Sequence, residues 1–148
     1  MPTKLIAKGD DIKDPAWITI PWSLMHFWAG IQLAIILKYY NFSDKATIII
    51  STLIHLIYEI KDYNYSYIQK SYKISDPLSN SLENCVGDSI VCLLGTILYL
   101  KLFKQRVTSR ILIRSFIITM ILFHYFTYYH GCGWNSIYKQ FLSKVNLA

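Results

Sequence analysis

Residues 53–62 read LIHLIYEIKD and close an apolar run that begins near residue 45. One histidine and two acidic side chains interrupt this run: His55, Glu59 and Asp62. Their i, i+4, i+7 spacing places them within about 60° of one helix face, so they form a single polar stripe. Glu59 is the strongest functional candidate because apolar residues flank it on both sides and it lies a turn inside Asp62.

The rest of the chain predicts a membrane protein. Its 148 residues are 53% hydrophobic and 16% aromatic, and four apolar runs approach the ~20 residues that a helix needs to cross a bilayer. The predicted fold is therefore all-α, a polytopic integral membrane protein with a four-helix transmembrane bundle in one domain, residues 1–148. The predicted spans cover 17–40, 45–63, 85–103 and 111–130, followed by an interfacial amphipathic helix at 134–146.

Basic residues concentrate in the connections predicted on one side of this bundle. If the spans alternate, the two short connections carry seven Lys or Arg residues against Asp44 alone. The densest segment is KLFKQRVTSR, residues 101–110. Because anionic lipids attract such clusters, we expect this side to face the cytoplasm or another anionic leaflet. The net charge of +6 is then an orientation signal, and no nucleic-acid partner is expected.

Polar residues on the other predicted helices fall at the same depth as the stripe. His26 is early in the first helix, Asn84 and Asp88 are early in the third, and His124 is late in the fourth. An alternating bundle brings them all to one membrane face. Because an ionisable group at mid-membrane costs ~2.5 kcal/mol or more, such groups are expected to turn inward and pair or line a wet cavity.

The residue types in this cluster suit a divalent metal or acid–base chemistry. Glu59, Asp88 and His55 are the candidate catalytic groups and also the candidate ligands of a zinc- or manganese-class ion, which would activate water for attack on a lipid ester, amide or phosphate. The candidate binding residues are His26, Asn84 and His124. Without a metal, the carboxylates and a histidine would act as general acid and base. Haem fits less well, because no spacing indicates a pair of haem ligands. The sequence also lacks the HExxH, GxSxG and CxxC motifs of other metal, hydrolase and redox sites.

Three segments resemble the VanZ-like family and a related group of small bacterial membrane proteins. They are PWSLMHFWAG at 21–30, HLIYEIKD at 55–62 and NSLENCVGDSIVCLLG at 80–95. The matching positions are His26, Glu59, Asn84, Gly87, Asp88 and Gly95. Asp62 stands where the family tends to have Gln, and the Tyr-rich linker lacks an arginine often found there. The resemblance implies a polytopic membrane protein with a polar cluster near one face and a link to cell-envelope glycopeptide resistance, without a particular reaction.

Two functions of different classes remain open. The leading hypothesis is a small integral membrane protein with a polar intramembrane site near one face, acting on or binding a lipid or lipid-linked head group. The alternative is an accessory structural subunit of a larger membrane complex, such as a respiratory assembly, in which the polar residues pair with partner helices. The expected partners are the lipid bilayer and, under the alternative, other membrane subunits.

Overall fold

The computed structural model describes residues 3–7, 15–20, 22–71, 81–104 and 106–130, with the backbone alone at 65–71 and 126–130. Within these ranges two short strands precede four helices, so the protein is mostly helical, as predicted. The elements are β1 (Lys4–Ala7), β2 (Ala16–Thr19), α1 (Trp22–Tyr39), α2 (Asp44–Ser71), α3 (Leu82–Leu102) and α4 (Ser109–His130). The interfacial helix predicted at 134–146 lies outside the described residues.

Local sequence signals explain most helix ends. Ser43 precedes α2 and its hydroxyl accepts a hydrogen bond from the Ala46 N–H at 3.2 Å, and Ser81 caps α3 in the same way. The predicted helix start at residue 17 is wrong, because residues 16–19 pair in parallel with β1. Helix α2 continues past residue 63 to Ser71, since no Gly or Pro interrupts it before Pro77.

The predicted four-span transmembrane bundle is wrong. Among the helices of the described ranges, only α3 is long and apolar enough to cross a membrane. The other apolar runs are diluted by polar residues: Ser23, His26 and Gln32 lie within α1, the polar stripe and a polar C-terminal half lie within α2, and Arg110 and Arg114 lie in the first turns of α4. Long apolar stretches in the sequence therefore overstated the number of membrane-crossing helices.

Helices α1 and α3 run parallel and touch through their backbones. A Cβ atom added to Gly30 would lie 1.9 Å from the Cys92 carbonyl oxygen, and one added to Gly95 would lie 2.1 Å from the Phe27 carbonyl oxygen. Neither position has room for a side chain, so these glycines allow the close crossing. Near the start of α3, Gly87 makes the same kind of approach to β2.

Helices α2 and α4 lie antiparallel to α1. The Lys38 ammonium, at the end of α1, is 2.8 Å from Asp44 at the start of α2. On α4, Thr119 accepts a hydrogen bond from the Trp28 indole N–H at 2.8 Å and donates to the Gln32 side-chain oxygen at 3.1 Å. Within the described ranges, α4 packs against α1 alone.

The interior of the described part is more polar than apolar. Twelve polar or charged side chains are buried, against eight apolar ones. On α2 the four inward residues spaced four apart are Thr47, Ser51, His55 and Glu59, all buried, whereas large aliphatic side chains such as Ile57 are exposed. Proteins that fold in water usually show the opposite distribution.

Candidate metal centre

Three side chains from two helices converge near the start of α1. His26 comes from α1, and His55 and Glu59 come from one face of α2. The Nδ1 atom of His26 lies 2.9 Å from the Nε2 atom of His55 and 3.3 Å from Oε1 of Glu59. The third edge, from His55 Nε2 to Glu59 Oε1, is 3.5 Å. We call these three residues the triad; within the described residues they form a group whose ligand atoms all lie within 4.8 Å of one another.

The size of this triangle matches the ligand spacing around a zinc-class ion. Zinc binds imidazole nitrogen and carboxylate oxygen at about 2.0–2.1 Å in tetrahedral geometry, which places neighbouring ligand atoms about 3.3–3.4 Å apart. The three observed edges scatter around that spacing. Three protein ligands leave one tetrahedral position open, as in catalytic zinc sites.

Behind His26 lie Asp88, Ser23 and Thr19, which contact one another in turn. The Nε2 atom of His26 is 3.4 Å from Oδ2 of Asp88. The Ser23 hydroxyl donates a short hydrogen bond to the other oxygen of Asp88, and it accepts one from the Thr19 N–H at 2.9 Å. The Asp88 carboxylate lies where it can accept the Nε2 proton of His26, and in that tautomer the lone pair of His26 lies on Nδ1.

A serine orients the second ring in a similar way. The Ser89 hydroxyl donates to the Cys85 carbonyl at 2.7 Å and lies 3.4 Å from Nδ1 of His55. Because the hydroxyl proton is already engaged, the oxygen faces His55 as an acceptor. His55 then donates from Nδ1, and its lone pair lies on Nε2.

These two tautomers aim both imidazole lone pairs into the triad. Two lone pairs at 2.9 Å repel each other unless a cation lies between them, and the Glu59 carboxylate adds negative charge at the same point. The outer partner of His26 is also of the kind that metal-binding histidines have, namely a carboxylate. In these tautomers the three ligand atoms could hold a cation.

Burial keeps both imidazoles neutral at pH 7. It lowers the pKa of His26 well below its usual range, and the adjacent His55 ring lowers it further. Burial likewise lowers the pKa of His55, an effect that the negative charge of Asp62 partly offsets. Since only a neutral imidazole can bind a metal, neither ring has to lose a proton first.

The triad reaches the surface on the His26 side. The side chains of His55 and Glu59 are 4% and 3% exposed, whereas that of His26 is 17% exposed. The Tyr58 ring borders this opening, with its centre 6.1 Å from that of His26, and the Lys61 ammonium lies 4.1 Å from the centre of the Tyr58 ring. A ligand for the open metal position would enter here.

The structure brings most of the predicted site residues together and separates one. His26, expected as a binding residue, joins His55 and Glu59 in the triad, whereas Asp88, expected as a ligand, lies behind His26. Asn84 is buried one turn from Asp88, and its amide donates to the Thr19 hydroxyl at 3.4 Å. His124 lies on the exposed side of α4, outside the triad.

Three residues of this centre were not predicted from the sequence. Tyr58 follows His55 by three positions and so shares its helix face, a spacing that could have identified it. Ser89 directly follows Asp88, but only the three-dimensional arrangement pairs it with His55. Thr19 lies at the end of strand β2, which the hydropathy pattern did not predict.

No protein-family model matches the chain, and no match was found among curated proteins or solved structures. The resemblance to the VanZ-like family therefore stays a prediction.

Proposed function

We propose that this chain is a membrane-bound metalloprotein that holds one divalent ion of the zinc class on His26, His55 and Glu59, and that the ion acts on the head-group region of a lipid or lipid-linked molecule. The metal proposal depends on the triad and its outer partners. The membrane proposal depends on the inverted burial and on α3.

One observation carries the metal proposal. Asp88 and Ser89 lie against the outer nitrogens of the two histidines, a placement that favours the tautomers in which both lone pairs point at the same space beside Glu59. A hydrogen-bonded histidine pair without a metal would need only one lone pair and one N–H at this contact. The tautomers that Asp88 and Ser89 favour give instead two lone pairs, the pattern expected of ligands held ready for a cation.

The coordination that the triad offers is suited to hydrolysis. A zinc-class ion with three protein ligands carries water at its open position and lowers the pKa of that water to about 7. Glu59 supplies one negative charge, which offsets part of the charge of the ion. The remaining groups position rather than react: Asp88 and Ser89 hold the imidazoles, and the Tyr58 ring borders the entrance.

The surroundings of the site support a lipid substrate. Large apolar side chains on the outer face of α2 are exposed close to the triad, among them Ile57 at 68% and Ile60 at 61%. In water this surface would be unfavourable, whereas lipid tails would cover it. A lipid lying along α2 would bring its polar head group to the level of Glu59, one helical turn from the exposed Tyr63.

Metal content tests the first half of the proposal. The full chain, purified in a mild detergent and loaded with Zn²⁺ or Co²⁺, is expected to hold one ion per chain by elemental analysis, and Co²⁺ is expected to give the visible absorption of a tetrahedral site. Glu59→Gln and His55→Gln should lose the ion. His124→Gln is the matched control, because His124 is an exposed histidine outside the triad, and it should keep it. Full metal content in Glu59→Gln would refute the site.

Lipid turnover tests the second half. The metal-loaded chain is incubated with a lipid extract, and the products are followed by mass spectrometry, with Glu59→Gln and His124→Gln run in parallel. Head-group release by wild type and His124→Gln, but not by Glu59→Gln, is the expected result. A chain that binds metal, releases nothing and stays monodisperse only with other membrane proteins would favour the accessory-subunit alternative.

A further inference from the structure

At the end of the helices opposite the triad, the structure gathers cations that have almost no acidic partners. Five exposed basic residues lie at the end of α3 and the start of α4, and we call them the basic end: Lys101, Lys104, Arg106, Arg110 and Arg114. Within the described ranges the one acid nearby is Asp44, and it already pairs with Lys38 at 2.8 Å. The basic end is therefore an uncompensated positive surface.

Large apolar side chains are interleaved with these cations. Leu102 and Phe103, between Lys101 and Lys104, are 64% and 59% exposed, and Ile113 on the first turns of α4 is 58% exposed. Cations beside exposed aliphatic and aromatic groups match a bilayer interface, where phosphates meet acyl chains. Contacts to nucleic-acid phosphates come from basic and polar side chains, so the exposed aliphatic groups Leu102 and Ile113 favour the bilayer interface.

We infer that the basic end binds the head groups of anionic phospholipids and so fixes which leaflet this end of the protein faces. Helix α3 runs from Asp88, beside the triad, to this end. From Asp88 to Lys101 it rises about 20 Å, at about 1.5 Å per residue. The triad would then open on the side away from the anionic leaflet; this corollary rests on the proposed function, whereas the lipid binding does not.

Two charge-matched double variants test the inference on the full chain in neutral detergent. Phosphatidylglycerol or phosphatidylcholine is titrated in, and bound lipids are counted by native mass spectrometry. One variant, Lys104→Gln with Arg110→Gln, removes two cations from the basic end. The other, Lys4→Gln with Lys8→Gln, removes two cations from the N-terminal segment, whose strand β1 pairs with β2 ahead of α1 at the opposite end. Circular dichroism checks that both keep the wild-type helicity.

The wild type should bind phosphatidylglycerol more tightly than phosphatidylcholine. Each cation near an anionic surface contributes about a fivefold gain in affinity, so the basic-end variant should bind phosphatidylglycerol about 25-fold more weakly. The opposite-end variant should stay close to wild type. Equal binding of the two lipids, or an equal loss in both variants, would overturn the inference. A competition experiment would overturn it as well, if a short oligonucleotide or free glycerol phosphate displaced the lipid at a concentration below that at which the lipid binds.

Discussion

The rings of His26 and His55 meet edge to face, with their centres 5.0 Å apart and two ring nitrogens 2.9 Å apart. Each ring is turned into this contact by a partner on α3, Asp88 for His26 and Ser89 for His55. Helix α3 contributes no ligand to the triad, yet it sets the direction of both lone pairs. The metal properties of the chain should therefore respond to changes on α3.

Replacing Asp88 by Asn should weaken metal binding without removing a ligand. The amide still fills the space, but it no longer holds the His26 N–H with a negative charge. We expect a loss of about 10- to 100-fold in Zn²⁺ affinity, the range seen for outer partners of metal ligands. Competition with a chromophoric chelator measures it. Glu83→Gln, which removes a carboxylate from the first turn of the same helix, is the control, and equal affinities for the two variants would argue against this role of Asp88.

Alanine at Gly30 or Gly95 should destabilise the fold. The new methyl group would meet a carbonyl oxygen of the facing helix at about the distances given above, and backbone cannot move aside as a flexible side chain can. The expected loss is about 1–3 kcal/mol or more for each substitution, measured by denaturation in detergent. Leu94→Ala, next to Gly95 but 53% exposed, should change stability little. Tolerance of alanine at both glycines would contradict the close crossing.

Acid should destabilise the metal-free chain. The pKa values of His26 and His55 are lowered in the folded state, while in the unfolded chain they return to about 6.5. Below about pH 6.5 the unfolded state binds more protons, so stability falls as the pH falls and levels off below the folded-state pKa values. Between pH 7 and pH 5 we expect a loss of about 1–3 kcal/mol. Thermal unfolding in the presence of a chelator measures it, and the His26→Gln, His55→Gln double variant should show a flatter profile; identical profiles would count against the shifts.

Replacing Thr119 by Val should weaken the packing of helix α4 without changing the affinity of the triad for metal. Thr119 joins Trp28 and Gln32 on α1, and Thr119→Val keeps its shape while removing the hydroxyl. Hydrogen exchange of the α4 amides should become faster, and Zn²⁺ affinity should stay at the wild-type value. Ser115→Ala, which loses only a bond within α4 itself, is the comparison. A drop in Zn²⁺ affinity in Thr119→Val would mean that α4 supports the triad after all.

The inward stripe of α2 could be predicted because helical spacing alone puts His55 and Glu59 on one face. The depth of His26 and Asp88 in the sequence was also enough to bring them near that stripe. Their division into ligand and partner was not predictable, since it depends on how far α1 rotates against α3, and the contacts of Gly30 and Gly95 set that rotation.

The larger errors have a physical origin as well. The strands β1 and β2 are four residues each and depend on pairing across a separation of 12 residues, such as Lys4 with Ala16, which local patterns do not encode. The four-span prediction counted apolar residues along each run. It gave no weight to the polar side chains within the same runs. Because of them, α3 alone among the described helices is apolar enough to cross a membrane.

The separation of His26 and His55 along the chain has a further consequence. They are 29 residues apart, so an ion on the triad would close a loop of that length between α1 and α2. In the loop-entropy description, a cross-link of this span lowers the conformational entropy of the unfolded chain and so stabilises the folded state by about 3–4 kcal/mol. Gly30 and Gly95 already allow α1 to pack closely on α3, so the ion would attach α2 to that pair. The side chains that bind the ion would therefore also stabilise the packing of the three helices.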